Sequence, residues 1–448
     1  MKTLLLTIDA WRADHASFMP GSVGEHTPNL DRLAEQGTVF SEAVSHGPAT
    51  PYAFPAVFTS ALPLDYGGYE ELSSERTLVS EALSRSGWHC VGAHANPWLG
   101  EKYGYGRGYD DYRDVGEFGL PGLERGRQFL LENFSLDSPV YRAVQSAYRY
   151  VQGPLRMVTG DAAEIEVARE ALEDARDEAF VWTHLLEPHA PYTPPKHHRE
   201  AVGVPETDTT PSQLVTRAQH DPESFSERER EVIRGLYAAS VRHADEKVGK
   251  LLRAVDDDTL VIVTADHGEA LFEHGQVGHE PALYDELVHV PFLVRPPGGT
   301  STEVVEDQVR HVDIAPTILD YAGVEAPDSY QGRSLRPAVE GDDIDTEHAV
   351  SEVASSPTQP GRLDPDELQV GVRTPARKLI YTNDGIEGFD LDTDPGEEAP
   401  VTDLEGEKWA DLQAKLDERL DSIDVADTGG VERDDDVQER LRNLGYME

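Results

Sequence analysis

Thr259-Leu-Val-Ile-Val-Thr-Ala-Asp-His-Gly-Glu269 changes character after its seventh residue. Leu260 to Val263 is an unbroken apolar, largely β-branched run, the pattern of a strand buried in a parallel sheet. Asp266 and His267 then stand side by side, and Gly268 bends the chain. Open α/β sheets bind ligands outside the carboxyl ends of their strands. A carboxylate and an imidazole at such an end supply two adjacent metal ligands, one oxygen and one nitrogen. The plainer alternative makes Asp266 a helix cap and His267 a passive loop residue.

The chain is long enough for a large α/β domain and a smaller one: 448 residues, 38% of them hydrophobic. Acids outnumber bases 85 to 39, for a net charge of −46, and the bases are eight lysines and 31 arginines. Such an excess, spread along the chain, suggests a protein kept soluble in concentrated salt, where screening over about 3 Å at 1 M quiets self-repulsion. It argues against a nucleic-acid partner, which needs a basic face. The single cysteine, Cys90, excludes an internal disulfide and a thiolate metal cluster, and its apolar setting reads as a core thiol. The first strand is too short and wrongly flanked for a signal peptide, and no apolar run reaches the ~18 residues of a membrane span. A soluble, cytoplasmic protein is the expectation.

Strand one, Thr3 to Ile8, delivers Asp9, followed by Arg12, Asp14 and His15. Asp9 is a second candidate metal carboxylate; an Arg12–Asp14 pair would lock the turn. A strand from Val39 to Val44 leads to Thr50-Pro51, which has the form of a helix N-cap followed by proline at the first helical position. Thr50 is then either a cap alone or a nucleophilic hydroxyl at a helix N-terminus, where the dipole favours an alkoxide and the anionic group it attacks.

Taken with later stretches, these pieces resemble the sulfatase family, within the alkaline phosphatase superfamily. The matching pieces are Asp9 with Arg12 and Asp14, the turn at Thr50, Glu187-Pro-His189-Ala-Pro-Tyr192, Asp266-His-Gly-Glu269, Gly278-His279-Glu280 and Val290-Pro-Phe-Leu-Val294. Then come His311-Val-Asp313-Ile-Ala-Pro316-Thr317, Gln331-Gly-Arg-Ser-Leu335 and Phe389-Asp-Leu391 through Glu397, in the family's order and over roughly the whole chain. The resemblance implies a three-layer α/β sandwich of the alkaline-phosphatase/sulfatase type over residues 1–340. A smaller α+β domain over 341–424 and an acidic connector with a terminal helix over 425–448 complete the expected plan.

One departure falls on the chemistry. The family's Cys/Ser-x-Pro-x-Arg motif supplies the residue oxidised to formylglycine, and counting back from Thr59-Ser60 puts Thr50 there, with Tyr52 and Phe54 at the proline and arginine positions. Threonine cannot become formylglycine. Superfamily relatives with an unmodified threonine resemble phosphodiesterases, phosphonate hydrolases and headgroup transferases.

The resemblance therefore implies one divalent cation (Mg²⁺, Mn²⁺, Ca²⁺ or Zn²⁺) held by Asp9, Asp266 and His267, with Thr50 as the fourth, reacting ligand. His189 and His279 would act on the transferred group, and His184 and Asn96 would touch substrate; for Asn96 a turn-forming role is the plainer reading. His184, His189, His274 and His279 leave a second metal open, although Ala10 breaks the family's Asp-Asp pair and favours one. The expected partner is an anionic small-molecule, glycan or lipid-headgroup ester, hydrolysed or transferred. A sulfate-ester hydrolase without formylglycine and an inactive binding protein are the rivals. The acid-free stretch 138–160 reads as a lid, an anionic-substrate surface, a contact between copies in a homo-oligomer, or a packed insertion.

Overall fold

Strand β1 (Lys2–Ile8) lies in the middle of a mixed sheet and sets its register. The computed structural model of the protein describes residues 1–117, 163–175, 177–300, 303–356 and 359–423. The stretch 138–160 and the connector with its terminal helix lie outside the described residues.

On one side β1 pairs in parallel with β5 (Ala179–Leu185), and on the other with β6 (Thr259–Ala265), so that Ile8 stands opposite both Leu185 and Ala265. Beyond β5 come β3 (His89–His94) and β4 (Asp111–Asp114), both parallel. After β6 the chain forms a short antiparallel hairpin, β7 (Ala270–Leu271) with β8 (Val277–Gly278). Beyond β6 in the sheet the direction reverses: β9 (His289–Arg295) runs antiparallel to β6 and to β2 (Thr38–Val44), and β10 (Glu303–Val305) and β11 (Val309–Arg310) edge β2. The apolar run at 260–263 correctly marks a strand buried on both faces, but only one of its two neighbours is parallel. Direction leaves no trace in hydrophobic periodicity, so the reversal is invisible in sequence.

Helices cover the sheet in two groups. One is built on Glu227–Leu251, which buries Val232, Ile233, Leu236, Tyr237, Val241, Val248 and Leu251. Its start carries a capping box, the Glu229 carboxylate accepting from Ser226 N at 3.0 Å. The helix also fixes its neighbour: Asp245 accepts the backbone N–H groups of Asn29 and Leu30 at the start of helix Pro28–Ala34. The other group is Thr50–Thr59, Val79–Arg85 and Ile314–Ala322. The layers share a core that includes Leu5, Phe58, Trp182 and Val263. Cys90 is buried in it, with its thiol pushed up to about 12 by burial, which keeps it unreactive.

A second, antiparallel sheet, β12 (Ala349–Ser356), β13 (Gln359–Thr374), β14 (Arg377–Thr382) and β15 (Gly385–Asp390), packs against helix Glu407–Ser422 through Trp409, Leu412 and Leu416. Buried ion pairs tie it to strand β2 and to the loops around it. Arg373 binds Asp285 and Glu42, and Lys378 binds Asp285 and Glu397, at 2.8–3.0 Å. No described helix is long and apolar enough to cross a membrane.

His274 sits in this seam rather than at a metal site. Its Nδ1 is 2.6 Å from Glu286 Oε1 and its Nε2 3.1 Å from the Glu397 carbonyl, both pure acceptors, so both ring nitrogens donate. Its ring stacks on Tyr284 at 3.6 Å. The Glu286 hydrogen bond raises its pKa to about 9. A folded-state pKa above the ordinary 6.5 makes its contribution to stability complete below about pH 6.5 and lost as pH rises through about 9. The melting-temperature gap between wild type and His274→Asn should be widest near pH 6 and close by about pH 10. A pH-independent gap would mean that ring stacking alone is lost.

Candidate active site

The register of β1 and β6 places Asp9 and Asp266 side by side, one residue beyond Ile8 and Ala265. Asp9 N donates to the Leu185 carbonyl (2.9 Å), and Ala10 N and His267 N donate to Asp266 Oδ1 (3.2 and 2.9 Å). Ala10 takes a left-handed backbone (φ 54°), and its carbonyl accepts the Tyr237 hydroxyl at 2.7 Å. Gly268 is required for a different reason: a Cβ there would lie 2.0 Å from the Glu286 carbonyl oxygen.

Arg12 and Asp14 pair as expected, at 2.7 and 2.9 Å. Arg12 also donates to the Glu269 carbonyl and to Glu273, both at 2.9 Å, and so ties the first strand's exit to the β6 loop.

Thr50 is fully buried at the start of helix Thr50–Thr59. The cap position belongs to Ala49; Thr50 is the first helical residue, Pro51 the second, and no side chain caps the helix end. The threonine hydroxyl turns inward, donating to Asp266 Oδ2 at 2.9 Å and accepting Asn96 Nδ2 at 3.1 Å. Asn96 Oδ1 accepts Trp98 N at 3.0 Å, which orients the amide so that Nδ2 also reaches Asp9 Oδ2 at 3.0 Å. Both readings of Asn96 hold at once: one end of its amide shapes the turn while the other faces the site.

His267 Nδ1 donates to the Gly268 carbonyl at 2.7 Å, which leaves the lone pair of the neutral ring on Nε2. That atom lies 3.4 Å from Asp9 Oδ1 and 3.7 Å from Asp266 Oδ2. Asp9 Oδ1 and His267 Nε2 are buried and have no hydrogen-bond partner among the described residues. Three acceptor atoms thus face one another in a buried pocket, an arrangement that requires positive charge between them. Burial would lower the His267 pKa, but Asp266 and Asp9 outweigh it and raise it to about 9, a proton standing where a cation fits. Burial pushes Asp266 up, whereas Asp9, despite burial, is held well down by His189, His184 and His267. Asp9, Asp266 and His267 therefore fit a divalent cation.

His184 also belongs here. Its Nε2 is 3.3 Å from Asp9 Oδ2, its Nδ1 is 2.9 Å from Thr7 Oγ1, and with Asp9 and Asp266 it could hold a metal ion. The expectation made it a substrate contact and left it open as a ligand of a second metal; its place beside Asp9 makes it a metal-ligand candidate as well. Phe54 packs edge-on against it at 5.0 Å. His189 and His279 form the opposite wall, with ring centroids 4.8 Å apart and His279 4.7 Å from His267. Burial lowers both, His279 to about 3. His189 Nδ1 donates to the Ala190 carbonyl at 2.7 Å, so the neutral ring presents a lone pair on Nε2.

Glu269, the end of the motif Asp266-His-Gly-Glu269, is a site residue that its sequence position alone does not mark. It is fully buried, 3.4 Å from His279 Nδ1, and burial raises it to about 7. Thr7, which holds His184, carried no signal beyond its strand.

A hydroxyl at a helix start, oriented by an amide and a carboxylate beside a cation pocket at the carboxyl ends of a mixed sheet, is the layout of an ester hydrolase. The chain belongs to the sulfatase family, whose sequence model matches residues 2–324, and residues 273–426 match the C-terminal model described for N-sulphoglucosamine sulphohydrolase. It is similar to the arylsulfatase of Clostridium perfringens (24% identical; 88% of each chain) and the ulvan-active sulfatase of Formosa agariphila (23% identical; 92% of this chain, 78% of the relative). The phosphonate monoester hydrolase of Agrobacterium radiobacter has the same fold, with a TM-score of 0.70, 20% identity, and 97% and 99% of the two chains covered.

Proposed function

We propose that this enzyme cleaves phosphorus esters, phosphodiesters or phosphonate monoesters, with Thr50 as an unmodified nucleophile. The observation that carries the reading is the Thr50 hydroxyl, held between the Asp266 carboxylate and the Asn96 amide. The cation held by Asp9, Asp266 and His267 would lower the hydroxyl's pKa and offset charge on the non-bridging oxygens.

Asp266 Oδ2 already accepts the Thr50 proton in the resting state, which readies the hydroxyl oxygen for attack. Attack forms a Thr50 O–P bond and breaks the bond to the leaving alcohol. An anionic ester beside His189 favours its protonated form, which reverses the effect of burial and readies Nε2 to protonate the departing oxygen. His279, steadied by Glu269, holds the transferred group. Water or an acceptor alcohol then releases it from Thr50.

Sulfate esters are the second reading, favoured by the names of the relatives that match most of the chain. An assay with Mn²⁺ in concentrated salt should compare an aryl sulfate, an aryl phosphodiester and a phosphonate monoester. Higher kcat/KM on the phosphorus esters is expected; turnover confined to the aryl sulfate would overturn the proposal.

A further inference from the structure

Two helices away from the active site carry a second group of metal-binding side chains. Helix Lys196–Val202 begins with Lys196-His197-His198, and helix Glu227–Leu251 faces it with Glu246. His197 Nε2 and His198 Nε2 lie 3.4 and 3.1 Å from the same oxygen, Glu246 Oε2. The three ligand atoms lie within 4.8 Å of one another. A tetrahedron with bonds of about 2.0–2.1 Å has ligand–ligand edges of about 3.3–3.4 Å, so the two separations to Glu246 fit one small cation. The other Glu246 oxygen is engaged elsewhere, 3.3 Å from Lys250 Nζ, which fixes the carboxylate with Oε2 toward the imidazoles.

His198 supplies the independent sign. Its side chain is 6% exposed, and its buried Nε2 has no hydrogen-bond partner among the described residues, the Glu246 oxygen lying out of line with its N–H direction. A buried ring nitrogen beside a carboxylate but without a hydrogen bond to it costs free energy that a shared cation removes. The two rings crowd each other at 4.0 Å between centroids, with His243 5.3 Å from His198. Clustered imidazoles resist shared protonation but accept a metal readily.

We infer that His197, His198 and Glu246 form a second metal site, for Zn²⁺ or a similar borderline divalent cation, distinct from the catalytic centre. Nitrogen-rich ligation with one carboxylate selects zinc-like ions over magnesium and calcium. The site joins the two helices directly after the segment 186–195 that carries His189. Its role is to anchor that segment.

The test is metal counting on the full-length protein by equilibrium dialysis against Zn²⁺, repeated with Co²⁺, whose visible absorption reports low-coordinate nitrogen ligation. Wild type should bind one more equivalent than His198→Asn or Glu246→Gln. Each variant should weaken that site at least about 100-fold, the scale of losing a ligand rather than its support. Asp9→Asn should lose the catalytic equivalent and keep this one, which separates a failure here from a failure of the active-site reading. Zn²⁺ should raise the melting temperature of Asp9→Asn by several degrees, and not that of Asp9→Asn/Glu246→Gln. Equal stoichiometry and affinity in wild type and both single variants would overturn the site, as would a Zn²⁺ shift that persists in the double variant.

Discussion

Thr50→Ala should lower kcat/KM by at least about 10³-fold while leaving the fold and the metal content in place. Removal of a nucleophile forfeits covalent catalysis and leaves only binding and electrostatic stabilisation behind. The variant should fold because the helix end does not depend on the Thr50 side chain for a cap, and Asn96 keeps its bonds to Asp9 and Trp98. Thr50→Ser restores the hydroxyl without the methyl group and should recover most of the lost rate. Incubation with substrate followed by acid quench and mass spectrometry should find on Thr50, in wild type and not in Thr50→Ala, the phosphoryl or phosphonyl group of the substrate with the substituent that did not leave still attached. An alanine variant with more than about a tenth of wild-type activity would place the nucleophile elsewhere.

Chelation should abolish turnover, and Mn²⁺ or another divalent ion should restore it. The basis is the unpaired Asp9 Oδ1 and His267 Nε2, 3.4 Å apart. Asp9→Asn should cut activity at least about 100-fold and shift the metal requirement to higher concentration, since a neutral amide replaces an ionised ligand. Metal binding to the folded state alone also stabilises it, by ~2.7 kcal/mol at a free metal concentration 100 times Kd. The melting temperature of wild type should therefore fall on chelation, and that of Asp9→Asn should fall less. Undiminished activity after exhaustive chelation would remove the cation from the reaction.

Much of this site was legible in the sequence because strands announce themselves by composition and their exits by a change to polar residues. Asp9, Asp266 and His267 follow apolar runs, and the sheet brings all three together. What was hidden depends on three-dimensional register. Thr50 reads as a cap because Thr-Pro has that form, yet its hydroxyl faces Asp266, and nothing local encodes a partner 216 positions away. His274 sits among the site's histidines in sequence, but a left-handed backbone (φ 49°) turns its ring to Glu286 and Tyr284 instead. Glu269 reads as the tail of a motif, yet its carboxyl is buried beside His279. The antiparallel course of β9 left no mark on its apolar pattern.

The pairing of β1 with β5 and β6 has a consequence for how the chain assembles. Asp9 and His184 are 175 positions apart, and Asp9 and Asp266 meet across a still longer loop, so no short stretch of this protein can hold the cation. Closing such loops is slow, because the entropy is lost before any contact forms. Until the centre of the sheet has zipped, the carboxylates are separate, hydrated and weak as ligands; once it has, they are forced together and need the ion. Refolding should thus show metal capture as a late event that coincides with completion of the central strands. A mutation that slows the β1–β6 pairing should delay metal uptake by the same factor.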